Sequence, residues 1–182
     1  GRLHDVSKAL KAYSMIREVG FNSVNLDLIF GVPGQSIPMW EADLGRALAL
    51  NPDHISTYCL TFEEDTALYV KLSEGKIKID PDMEARFYDK TWELLPTNGY
   101  AQYEVSNFAR EGHKCLHNLN TWAMNEWIGY GPSAASQVGG IRRKNLSNLK
   151  LWADQMERSS NFEFEEHEKL KPEDFAFDAI CF

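Results

Sequence analysis

Apolar residues at Val6, Ala9, Leu10, Tyr13 and Ile16 recur at three- and four-residue intervals, which predicts a helix. Gly20 stands where a left-handed C-terminal cap belongs. From Val24 to Phe30 the pattern changes to strict alternation: Val24, Leu26, Leu28 and Phe30 point one way, Asn25, Asp27 and Ile29 the other. A glycine-proline loop, Gly31-Val-Pro-Gly-Gln35, follows. Ser36 and Pro38 then open a second helix whose Trp40, Leu44, Ala47 and Leu48 share a face and which ends near Asn51-Pro52. Ile55 to Phe62 is the next strand. Asp80-Pro81 caps a further helix with Met83, Phe87, Tyr88, Thr91 and Leu95 on one face, ending at Asn98-Gly99, and Tyr100 to Phe108 alternates as a third strand. Strands joined through single helices are parallel neighbours in one sheet, so this rhythm predicts an α/β protein: a piece of a (β/α) barrel or an open doubly wound sheet.

Past Arg110 the rhythm breaks. The stretch to Gly140 is rich in glycine and aromatic residues and predicts irregular structure or short hairpins, with a helix over Leu146 to Met156. The acidic run Glu163-Phe-Glu-Glu-His-Glu168 reads as a solvated, alternating edge segment. With 43% hydrophobic and 12% aromatic residues in 182, the chain can bury a sizeable core, which excludes disorder and a coiled coil. A net charge of -8 gives no electrostatic footprint for nucleic acid, and Arg142-Arg143-Lys144 is too short to reverse it. No apolar run reaches bilayer length. Three widely spaced cysteines, Cys59, Cys115 and Cys181, fit a reducing compartment, so a cytoplasmic location is expected.

Two places could carry chemistry. In a parallel sheet covered by helices both faces are buried, so an inward Asp27 needs a hydrogen-bond partner or a ligand. The loop after it lacks the Lys-Ser/Thr of a P-loop and the spacing of a dinucleotide fingerprint. It is either a tight strand-to-helix turn or a place where Gly31 lets backbone approach a ligand. The second place is His113-Lys-Cys-Leu-His117, where an extended backbone would set two imidazoles and a thiol on one side, as ligands for a transition metal or heme iron. A solvated loop is the simpler reading. Glu63, Glu64 and Asp65 cap a turn or bind a cation, and His4, His54 and His167 are single in sequence. Nucleophile elbow, paired acid-base motif and metalloprotease helix are all lacking.

Asn25-Leu-Asp-Leu-Ile-Phe-Gly-Val-Pro-Gly-Gln35, Tyr103-Glu-Val-Ser-Asn-Phe-Ala109 and His117-Asn-Leu-Asn120 with Trp122 together resemble the radical SAM family of oxygen-independent coproporphyrinogen III oxidases and their heme-chaperone relatives. The likeness runs from Gly1 to about Trp152, and the second and third motifs resemble the chaperone (HemW-type) branch. The resemblance implies the later part of a partial (β/α)6 radical SAM barrel over residues 1–110 and the start of a smaller C-terminal region over 111–182. It implies that Arg2, Asp27, Ile29 and Thr61 contact S-adenosylmethionine. His117 and Asn118 match a His-Asn-x-x-Tyr motif linked to heme, with His117 as the donor to iron.

Three departures accompany it. The motif's tyrosine is Thr121. In Gly131-Pro-Ser-Ala-Ala-Ser136, Ser133 and Ala135 replace a glycine and a histidine of the family pattern. The CxxxCxxC motif that holds a [4Fe-4S] cluster does not occur in these residues, so an internal fragment is expected, with the cluster ligands upstream of Gly1. Alone it would not cleave S-adenosylmethionine. The resemblance implies a heme chaperone that passes heme to a recipient hemoprotein. The alternative is oxidative decarboxylation of coproporphyrinogen III propionates by a 5'-deoxyadenosyl radical.

Overall fold

The computed structural model describes residues 5–158 and 162–181. Arg2 lies outside them. The chain forms two compact units, Gly1–Lys114 and Cys115–Phe182.

The first unit opens with α1 (Val6–Val19), N-capped by the Asp5 carboxylate on Lys8 N–H and closed by Gly20 at φ 89°. β1 (Asn25–Phe30), α2 (Ile37–Ala49) and β2 (His54–Cys59) follow in the predicted order, β2 ending at Cys59 short of the expected Phe62, and β1 pairs β2 in parallel. A short helix, α3 (Ala67–Ser73), capped by Thr66, intervenes before α4 (Pro81–Thr97). The alternation that predicts one strand over Tyr100–Phe108 is instead a hairpin, β3 (Ala101–Gln102) and β4 (Asn107–Ala109). Glu104 makes the reversal: its Oε2 accepts from Ser106 N–H at 2.9 Å and from Asn107 Nδ2 at 2.6 Å. The returning strand pairs antiparallel with β2, giving a sheet ordered β1-β2-β4-β3.

One face of this sheet is packed. Phe30, Ile55 and Phe108 project from neighbouring strands onto Trp40 and Leu44 of α2 and Phe87 and Leu95 of α4, with Tyr100, each at most 2% exposed. Burying such side chains is worth about 1.5–3 kcal/mol apiece. The Phe30 ring lies 5.3 Å from Trp40 and 5.8 Å from Phe87, and meets Tyr88 edge-on at 4.8 Å. At the other end of the strands Asp53 ties α1 to the sheet, accepting from Arg17 Nη1 at 2.6 Å and from Val24 N–H at 2.9 Å. Burial raises the Asp53 pKa, but those two donors outweigh it and hold the carboxyl below its ordinary value.

The second unit holds α5 (Leu116–Trp122), a hairpin of β5 (Ala135–Val138) and β6 (Ile141–Asn145), α6 (Leu149–Arg158), β7 (Phe164–Lys169) and α7 (Pro172–Cys181). The hairpin turns on Gly139-Gly140, both at positive φ, as a two-residue connection demands. β5, β6 and β7 form an antiparallel sheet. The basic run and the acidic run recognised in the sequence are partners across it: Arg142 stands opposite Glu168, and Lys144 opposite Glu166 with Nζ 3.2 Å from its carboxylate. β7 is an exposed edge strand, as its alternation predicts. Ser133, which replaces a family glycine, sits at φ 60°, a left-handed backbone that glycine adopts without strain. Among the described residues no helix is long and apolar enough to cross a membrane.

Candidate functional site

Parallel register puts the odd positions of β1 beside the even positions of β2: Asn25 against His54, Asp27 against Ser56, Ile29 against Tyr58. β4 adds Asn107, opposite Ser56. This second face of the sheet is therefore polar, while the first is apolar. Among the described residues of this unit the α2 and α4 core packs on the apolar face, and Asp27 is exposed rather than enclosed as a doubly covered sheet would have it. Its carboxylate accepts from Asn25 Nδ2 at 2.7 Å. The Asn25 amide in turn lies 2.7 Å from His54 Nδ1 and 3.1 Å from Ser56 Oγ, and His54 Nε2 lies 2.6 Å from the Tyr103 hydroxyl. Four residues from two strands and a hairpin turn thus form one hydrogen-bonded row, ending on an open carboxylate.

His54 is 4% exposed. Burial lowers its pKa, outweighing the opposite pull of Asp27, so the imidazole is neutral near pH 7. A histidine depressed in the folded state binds its proton more readily when unfolded. Stability conferred by neutral His54 is therefore complete above the ordinary value of 6.5 and declines as pH falls below it, by up to about 1.4 kcal/mol per pH unit for one proton. Urea midpoints at pH 7.5 and pH 5.5 should separate more in the wild type than in His54→Asn; equal separation would assign the slope to other groups.

The remaining candidates fall in different places. Ile29 shares the face of Asp27, half-buried, and Thr61 is exposed two residues beyond the carboxyl end of β2. The loop between β1 and α2 is a tight turn: Gln35 N–H donates to Val32 O at 2.8 Å, with Pro33 second and Gly34 third at φ 83°, the residue pattern of a type II turn. Gly31 has φ 75°, and a Cβ there would meet Cys59 Sγ at 3.4 Å. Its close approach is to the neighbouring strand. Beside this loop a cavity is lined by Pro33, Gln35, Phe62, Lys78, Asp80 and Glu84, at the carboxyl end of β1 where α/β folds place ligands.

In the second unit, His117 and Asn118 lie in the first turn of α5, and Thr121 Oγ1 donates to the His117 carbonyl at 3.0 Å. The alternative of an extended row of His113, Cys115 and His117 does not form, because Cys115 caps the helix and His117 is inside it. No group of three or more His, Cys, Asp or Glu side chains among the described residues could hold a metal ion. The His117 side chain is exposed, and large apolar neighbours in the same unit are exposed too: Leu116 at 78%, Ile128 at 57% and Tyr130 at 87%.

His54 is the residue that the sequence pattern passes over. A single histidine at a strand start carries no motif, yet the parallel register of the two strands already sets it beside Asn25.

No protein-family profile matches the chain. It is 34% identical over 155 residues to the Bacillus subtilis heme chaperone HemW, covering 85% of this chain and 41% of that protein. Against the Escherichia coli heme chaperone HemW it is 38% identical over 140 residues, 76% of this chain and 36% of the relative. A zebrafish (Danio rerio) mitochondrial radical S-adenosyl methionine domain-containing protein 1 is 37% identical over 150 residues, 79% and 34% of the two chains. The chain thus spans between 34% and 41% of the length of these relatives. Among solved structures, the radical SAM coproporphyrinogen III oxidase HemN from Escherichia coli superimposes with a TM-score of 0.74 at 23% identity, covering 98% of this chain and 44% of that one. At that identity the likeness is one of fold: the chain has a mixed α/β fold matching part of that radical SAM structure.

Proposed function

Because the chain belongs to the HemW/HemN-like radical SAM family, we propose that it is part of a heme chaperone, a protein that binds heme and hands it to a hemoprotein in a reducing compartment, the cytosol. The observation that carries the reading is His117: an exposed imidazole on α5, with Leu116, Ile128 and Tyr130 exposed in the same unit. Imidazole is a common axial donor to heme iron, and exposed apolar side chains suit a flat, greasy macrocycle. An open site also suits a ligand that must leave again. Asn118, half-buried beside His117, completes the heme contact.

Asp27, Ile29 and Thr61, with Arg2 before α1, hold S-adenosylmethionine in the first unit. Asp27 supports this by its exposure at the end of a polar row, since a carboxylate there can accept from ligand hydroxyls or an ammonium group. A [4Fe-4S] cluster, ligated by upstream cysteines, belongs to the same reading and would supply the electron for reductive chemistry on the sulfonium.

The polar sheet face is also what favours the second reading, oxidative decarboxylation of coproporphyrinogen III, since a site for S-adenosylmethionine serves either function. The two separate in one experiment on the full-length protein with a reconstituted cluster. Anaerobic incubation with coproporphyrinogen III and S-adenosylmethionine should give no protoporphyrinogen, while hemin preloaded on the protein passes to an apo-hemoprotein acceptor. Protoporphyrinogen formed together with methionine and 5'-deoxyadenosine would replace the chaperone with the oxidase.

A further inference from the structure

The row Tyr103, His54, Asn25, Asp27 has a direction, and chemistry dictates it. The Asp27 carboxylate only accepts, so Asn25 must turn its NH2 toward Asp27 Oδ1, at 2.7 Å. The same NH2 group has a second hydrogen for Ser56 Oγ at 3.1 Å. The Asn25 carbonyl then faces His54 Nδ1 at 2.7 Å, and an acceptor there requires Nδ1 to carry the proton. His54 Nε2 is left with a lone pair, which the Tyr103 hydroxyl satisfies at 2.6 Å. The opposite tautomer would present a lone pair to Asn25, turn its amide over and place carbonyl oxygen against carboxylate. Burial prevents His54 from solving the conflict with water: it is 4% exposed and Ser56 beneath it 2%, and the Tyr103 ring stands edge-on to the imidazole at 5.6 Å.

We propose that His54 is a positioning residue for S-adenosylmethionine: its Nδ1–H, with Nε2 satisfied by the Tyr103 hydroxyl, fixes the Asn25 amide, which aims Asp27 with Oδ1 engaged and Oδ2 open to the ligand. This rests on the reading of Asp27 as a ligand contact. Oδ2 makes no hydrogen bond among the described residues, so the row spends one carboxylate oxygen on orientation and leaves the other for binding. His54 itself does not touch the ligand.

Equilibrium dialysis of S-adenosylmethionine against the full-length protein tests it with four variants. Asp27→Asn tests the underlying reading and should weaken binding by at least about tenfold, the cost of a charge-assisted bond. His54→Leu removes the donor and should weaken binding by about tenfold. His54→Asn puts an amide NH2 near the place of Nδ1–H and should restore affinity to within about threefold of wild type. Tyr103→Phe, which removes only a hydroxyl, should weaken binding by about threefold, and it carries the test if His54→Leu does not fold. Wild-type affinity in His54→Leu and Tyr103→Phe, with Asp27→Asn impaired, overturns the positioning role and leaves the binding site standing. Equal loss in His54→Leu and His54→Asn also overturns it, since a packing role alone would not discriminate a donor. Wild-type affinity in Asp27→Asn removes the site and the positioning role together.

Discussion

Replacing Trp40 with alanine should cost the first unit about 4–5 kcal/mol, the upper range for a buried aromatic. Trp40 is 1% exposed and is clasped between the sheet and α4, with the Phe30 ring 5.3 Å away. Its indole also has a polar role, since Nε1 donates to Thr91 Oγ1 at 2.9 Å while that hydroxyl donates to the Phe87 carbonyl at 2.8 Å. Truncation therefore opens a large cavity and strips a buried hydroxyl, 0% exposed, of its donor. Domains are stable by about 5–15 kcal/mol, so the variant should be close to unfolded at 37 °C. Trp40→Phe keeps most of the apolar contact and loses the hydrogen bond, for an expected cost of about 1–2 kcal/mol. Urea unfolding followed by far-UV circular dichroism measures both. A cost below about 2 kcal/mol for the alanine variant would mean that the α2–α4 layer is not the centre of the core.

The second large effect lies in the second unit. Gly129→Ala should destabilise it by about 3 kcal/mol, because the added methyl would lie 2.1 Å from the Ala135 carbonyl oxygen and 2.9 Å from Ala134 Cβ. This is a matter of space and not of dihedral angle. The φ of Gly129 is not in the left-handed region. Its N–H donates to Ser136 Oγ at 3.0 Å, and Asn145 Nδ2 reaches the carbonyl of Gly131 at 2.8 Å, so the backbone cannot withdraw without breaking the start of β5. A thermal melt of Gly129→Ala should fall by several degrees relative to wild type. An unchanged melt would show that the 129–135 segment rearranges freely.

Helices with strong caps were legible from sequence. Ser36 with Pro38, Asp80 with Pro81 and Gly20 each mark a terminus within a residue of where it occurs, because capping is chemistry between near neighbours. The third strand was not, because the alternation over Tyr100–Phe108 cannot reveal that Glu104 folds the chain back on itself. That reversal matters to the site, since it delivers Tyr103 to His54. Similarly, alternation set Asp27 apart from its apolar neighbours, but which sheet face the α2 and α4 core packs on is a tertiary fact, and Asp27 is open rather than enclosed. The helix that carries His117 has no start signal in the sequence, because its N-cap, Cys115, makes no side-chain capping hydrogen bond, so a solvated loop and an extended row of His113, Cys115 and His117 both stay open there.

Hemin titration of the full-length protein tests the proposed binding of heme at His117 most directly. Addition of hemin to the wild type should shift and sharpen the Soret band with saturation, and His117→Ala should weaken that binding by about tenfold or more while the far-UV spectrum stays the same. The same saturation curve in both proteins would contradict the account and take His117 out of the heme site.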